Sequence, residues 1–197
     1  MRAALAAACL ILACSRPVPN LDSPGRTIVC FGDSLTAGVG RGDGATYPQH
    51  LARRLDTEVV NAGVPGETAG QARRRLDHVL AADPWLVVIA LGGNDILRRV
   101  PLETTESDLG GIIERLLDAE ILPLLIEVRG PFGARYTRLF DRLEDRYGVP
   151  VIRDVLPELL LDRRYKSDAI HLNAAGYERL ADAVARRVEP LMRRRAA

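Results

Sequence analysis

"IVCFGDSLTAGVG", Ile28 to Gly40, begins as an unbroken apolar run and stops at Gly-Asp-Ser. An apolar run without alternation suits a strand covered on both faces, as in a parallel sheet. Similar β-rich runs recur at Glu58 to Asn61, Leu86 to Leu91, Leu122 to Val128 and Val149 to Ile152. Amphipathic stretches separate them: Tyr47 to Leu55, Thr68 to Leu80, Leu109 to Ala119 and Tyr136 to Tyr147. A final helix is expected from Ala174 to Met192, with Asn173 as its N-cap and Leu180, Val184, Val188 and Leu191 as its buried stripe. Strand and helix alternating five times predict an α/β domain: a five-stranded parallel sheet with right-handed crossovers and helices on both faces. In such sheets a site forms outside the carboxyl ends of the strands.

The chain of 197 residues is read as one domain, residues 26–197, preceded by a leader and a tether. It is 47% hydrophobic and 27% charged, with a formal net charge of +1. That balance sets aside a nucleic-acid partner. Nearly all the positive charge is arginine, Lys166 being the one lysine, and clusters such as Arg73-Arg74-Arg75 read as solvated helix faces.

Residues 1–14, "MRAALAAACLILAC", carry one basic residue and an apolar run too short to span a bilayer, the pattern of a secretory signal. Its end, "ILAC", resembles a bacterial lipobox. The resemblance implies a lipidated Cys14, a membrane tether and a periplasmic or membrane-anchored lipoprotein; ordinary cleavage and an uncleaved anchor are the alternatives. Residues 15–25, rich in Pro, Ser, Asn and Asp, read as a tether with no core of their own. Cys30, alone in a strand, reads as a buried inert thiol, and no disulfide framework is expected.

The strand ends deliver an inventory. After the first comes Gly32-Asp33-Ser34, after the second "NAGVPGET" (61–68), after the third "GGND" (92–95), and before the last helix "SDAIHLN" (167–173). A hydroxyl, a glycine-rich turn, a side-chain amide and a carboxylate–histidine pair are what acyl transfer from an ester needs. No Cys/His ligand spacing suggests a metal, and no cofactor is expected.

These four segments, in this order, resemble the signature blocks of the GDSL, or SGNH, hydrolases, and most of all the small bacterial periplasmic thioesterase/lysophospholipase/arylesterase type. The resemblance covers about residues 27–190. It implies a three-layer α/β/α, flavodoxin-like fold and a monomeric serine esterase acting on small acyl esters or thioesters. Ser34 matches the nucleophile, His171 the general base and Asp168 its orienter; the Ser34 amide, the Gly66 amide and the Asn94 side chain match the oxyanion donors. Gly63, the competing glycine, is read as serving the turn after Asn61-Ala62. His50 and His78 read as surface or packing residues, and Asp33 and Asp95 as fixing the loops. Thr36 stands where an α/β-hydrolase elbow has its second glycine, which disfavours that fold. Ala169 and Leu172 depart from the family's glycine and proline around the histidine. Leu97, Val100, Pro131, Phe132 and Tyr136 are candidate walls of an acyl groove. Two other readings stay open: a carbohydrate O-deacetylase of the same family, and a lipid-binding lipoprotein without turnover.

Overall fold

The computed structural model describes residues 17–129 and 134–196. Its strands are β1 (Thr27–Gly32), β2 (Val59–Gly63), β3 (Pro84–Ala90), β4 (Leu122–Ile126) and β5 (Val151–Ile152). They form one parallel sheet in the order β2-β1-β3-β4-β5, and β1, β3 and β4 are buried along their whole length. The helices are α1 (Ser34–Ala37), α2 (Tyr47–Leu55), α3 (Ala69–Arg74), α4 (Leu76–Leu80), α5 (Gly93–Leu97), α6 (Leu102–Asp118), α7 (Ala134–Tyr147), α8 (Val155–Leu161) and α9 (Ala174–Arg195). Helix α9 packs on α2 and α8, while α6 packs on α3 and α7, giving a layer on each side of the sheet. The expected α/β/α architecture is present. This strand order reverses direction between β1 and β3, and a crevice opens where the connections leave to opposite sides.

Most strand and helix limits shift by a few residues from those expected, α6 begins seven residues earlier, and one helix differs in kind. The stretch 68–80 is broken at Arg75, whose backbone leaves helical geometry at φ −107° and ψ 15°. There the Arg75 guanidinium turns to the strand ends, donating to the Ala62 carbonyl at 2.9 Å and lying 4.6 Å from the Phe31 ring centroid. Helix α8, like the short α1 and α5, is absent from the expected elements.

Of the segment read as a tether, the described part is docked. Val18 and Leu21 pack against the core, and the Asn20 amide donates to the Leu117 and Ile121 carbonyls at 3.0 and 3.3 Å. Arg195, 4.9 Å from the Trp85 ring centroid, donates to the Ser23 and Gly25 carbonyls at 2.9 and 2.6 Å. Composition pointed to an unpaired linker, but main-chain carbonyls are acceptors whatever the side chains, and Arg195 uses them. The leader, Cys9 and Cys14 lie outside the described residues. Among the described residues no helix is long and apolar enough to cross a membrane. Cys30 is fully buried, and burial pushes its thiol up to about 12.

Candidate active site

The ends of β1, β2 and β3 lie in register at Gly32, Gly63 and Ala90, so the segments that follow them emerge side by side. Gly63 is required by close approach rather than by a turn: a Cβ there would lie 2.2 Å from the Ala37 amide nitrogen. Asp33, not Ser34, caps α1, its carboxylate accepting the Leu35 amide at 3.0 Å. The cap role being filled, the Ser34 hydroxyl is free to face elsewhere. It lies 3.0 Å from Nε2 of His171.

His171 stands in the loop before α9, and its Nδ1 lies 2.8 Å from Asp168 Oδ2. The other oxygen, Oδ1, accepts the amides of Ile170 and His171 at 2.8 and 2.9 Å. These bonds, the Ile170 amide foremost, hold the Asp168 carboxyl below the usual carboxylate range. An ionised carboxylate only accepts, so Nδ1 carries the proton and Nε2 is left to accept from Ser34 Oγ. Asp168 is half-exposed, whereas the His171 side chain is 15% exposed. Gly40 supports the loop from beneath: at φ +90° it passes so close that a Cβ would lie 2.1 Å from Ser167 Oγ and 2.7 Å from the Leu172 carbonyl.

Gly66 takes φ +79°, and its carbonyl accepts from Arg98 at 2.6 Å. Among the described residues, neither the Ser34 nor the Gly66 amide donates to a protein acceptor. The Asn94 amide nitrogen is engaged on both sides, with Asp33 Oδ2 at 3.1 Å and the Glu67 carbonyl at 3.1 Å. Glu67 is itself clamped by Arg75, whose Nε lies 2.8 and 2.9 Å from its two carboxylate oxygens. Burial raises the Asp33 carboxyl to about 6, the Leu35 amide and His171 opposing it. Burial likewise raises Asp95, which accepts the Ala69 amide at 2.9 Å and so ties the second loop to the third.

Beside Ser34 lies a mainly apolar cavity of about 100 Å³. Of the expected groove residues, Leu97 lines it; Val100 and Tyr136 line the adjoining cleft, which shares Ile96 and Leu97 with it. Pro131 and Phe132 lie outside the described residues. Sequence reasoning missed Val128, Arg129, Leu160 and Ile170. Leu160 comes from α8, whose "LPELLL" run was the available signal; Ile170 sits between the two members of the carboxylate–histidine pair. His50 and His78 lie away on α2 and α4. Among the described residues no three His, Cys, Asp or Glu side chains gather as a metal-ligand set.

The model of the GDSL-like lipase/acylhydrolase family matches residues 30–179. Thioesterase 1/protease 1/lysophospholipase L1 of Escherichia coli (strain K12) is 33% identical over 176 residues, covering 84% of this chain and 85% of that protein. Esterase TesA of Pseudomonas aeruginosa is 30% identical over 205 residues, covering 98% of this chain and all of that one (100%). A crystal structure of TesA superposes with a TM-score of 0.78 at 27% identity, covering 84% of this chain and 99% of that chain.

Proposed function

The chain belongs to the GDSL-like lipase/acylhydrolase family and is a hydrolase of the esterase/thioesterase type, and from that premise we propose that it cuts small acyl esters or thioesters through Ser34, His171 and Asp168. The observation that carries this reading is the unbroken chain from Ser34 Oγ through His171 to Asp168, at 3.0 and 2.8 Å, opening beside an apolar cavity.

In the proposed reaction His171 Nε2 takes the Ser34 proton as Oγ attacks the acyl carbonyl. The amides of Ser34 and Gly66 are unpaired donors for the oxyanion. Asn94 becomes the third by turning one N–H from Asp33 or Glu67 towards it. The imidazolium, steadied by Asp168, then protonates the leaving alcohol or thiol, and water, activated in the same way, releases the acid. A carboxylate beside imidazolium favours the charged pair at the moment it forms.

The cavity beside Ser34 supports a preference among acyl groups. It is small and mainly apolar, which favours a short acyl group in the cavity itself. Longer chains extend past Leu97 into the cleft of Val100 and Tyr136. The export signal read in residues 1–14 supports a location outside the cytoplasm, and lipidation of Cys14 is tested by the mass of the mature N-terminus.

The deciding experiment uses p-nitrophenyl esters from acetyl to octanoyl, with acetylated sugars alongside. Wild type should turn over the short esters and be labelled by a fluorophosphonate; Ser34→Ala should lose both while keeping its circular dichroism. Turnover by Ser34→Ala at the wild-type rate overturns the assignment, and preference for acetylated sugars moves it to O-deacetylation.

A further inference from the structure

Among the described residues the large apolar side chains left exposed are Val64, Leu97, Leu161 and Ile170, at 42, 56, 83 and 42%. Scattered exposure is ordinary, but these four share one end of the molecule. Val64 follows β2, its amide bonded to the Gly32 carbonyl. Leu97 ends α5, and Ile170 sits beside His171; both line the Ser34 cavity, as does Leu160, the neighbour of Leu161.

Basic residues accompany this apolar rim. Segments 96–101 and 160–173 carry Arg98, Arg99, Arg163, Arg164 and Lys166 against Asp162 and Asp168. Arg164 is held by Asp162, and Asp168 by His171. Arg99, Arg163 and Lys166 have no carboxylate partner among the described residues. Protruding leucines beside unpaired cations suit a surface that is apolar below and negative above, where arginine and lysine heads reach the headgroups. A second copy of the chain suits it poorly, because a two-fold contact through this end would gather two sets of the three cations into one interface.

We propose that the mouth of the Ser34 site seats on an anionic lipid surface, with Leu97, Leu161 and Ile170 in the headgroup layer and Arg99, Arg163 and Lys166 on the phosphates. The proposal rests on the esterase reading only in giving the contact a purpose: an enzyme so placed draws acyl esters straight from the surface.

Hydrogen exchange of the full chain, in a Ser34→Ala background that leaves lipid intact, tests it. Vesicles containing phosphatidylglycerol should slow exchange across 94–101 and 158–172. Phosphatidylcholine vesicles should not, and about 0.5 M salt should remove the effect. The double change Leu161→Ser/Arg163→Gln should weaken partition by roughly tenfold or more. With Ser34 intact, it should leave turnover of a soluble acetyl ester unchanged. The proposal is overturned by an unprotected mouth on anionic vesicles, including binding through the leader or the 186–195 helix end alone. Equal protection on phosphatidylcholine overturns it too, as does protection that grows with protein concentration without lipid. Wild type inert on soluble esters would remove the esterase reading, and the exchange result would still stand.

Discussion

Asp168 and His171 are joined twice, by Oδ2 to Nδ1 at 2.8 Å and by Oδ1 to the His171 amide at 2.9 Å. One carboxylate therefore shapes the turn and orients the ring. In Asp168→Asn the amide oxygen can still accept the main-chain bonds, but the NH₂ faces Nδ1 and favours the wrong tautomer. We expect kcat on a soluble ester to fall on the order of 10²–10⁴ with the melting temperature little changed. A fall below twofold would remove Asp168 from the mechanism.

Gly40 and Gly42 provide a matched pair. Both have positive φ, but a Cβ at Gly42 meets nothing within 4 Å, whereas one at Gly40 strikes the His171 loop. Each alanine should cost about 1 kcal/mol for the backbone. Only Gly40→Ala should also lose activity, by roughly tenfold or more, through a displaced His171. Equal kcat values for the two would show that Gly40 does not support the loop.

Arg75 holds Glu67 from a largely buried position, and the Glu67 side chain is 8% exposed. Arg75→Gln should destabilise by about 3–5 kcal/mol, because it strands a buried charge. Adding Glu67→Gln should restore part of that loss. Activity should fall in kcat more than in KM, since Glu67 adjoins Gly66 and its carbonyl holds Asn94. Unfolding curves and kinetics of the two singles and the double decide; additive losses would mean that the pair does not act as a unit.

Asp33 makes the fold sensitive to pH. Its carboxyl titrates near about 6 in the folded chain, against about 3.9 unfolded. The folded state holds the extra proton between those values, so its contribution is complete at low pH and is lost as pH rises through about 6. In Asp33→Asn the difference in unfolding free energy between pH 4 and 7 should shift by about 2 kcal/mol in favour of pH 7. Denaturant unfolding at both values measures it, and an unchanged difference would contradict the raised carboxyl.

The sheet was legible because β1, β3 and β4 are buried on both faces and so read as apolar runs. The segments that converge at its carboxyl edge were legible because each carries its polar residues in a compact block. What escaped was longer-range. Arg75 reads as one of three helix-face arginines, and only the fold brings the Ala62 carbonyl and Glu67 to it. Leu160 and Ile170 meet across the cavity from segments with no shared periodicity. The Asn94 amide's two partners come from the segments after β1 and β2, which no local pattern encodes.

The clasp that Asn20 and Arg195 make on the first described residues sits where β1 and β3 begin, a strand's length from Ser34. Residues 18–25 therefore lie at the back of the molecule, at the opposite end of β1 from Ser34. Immobilised through that face, the enzyme presents its open mouth to the solution, whereas a graft into residues 160–173 would block the approach.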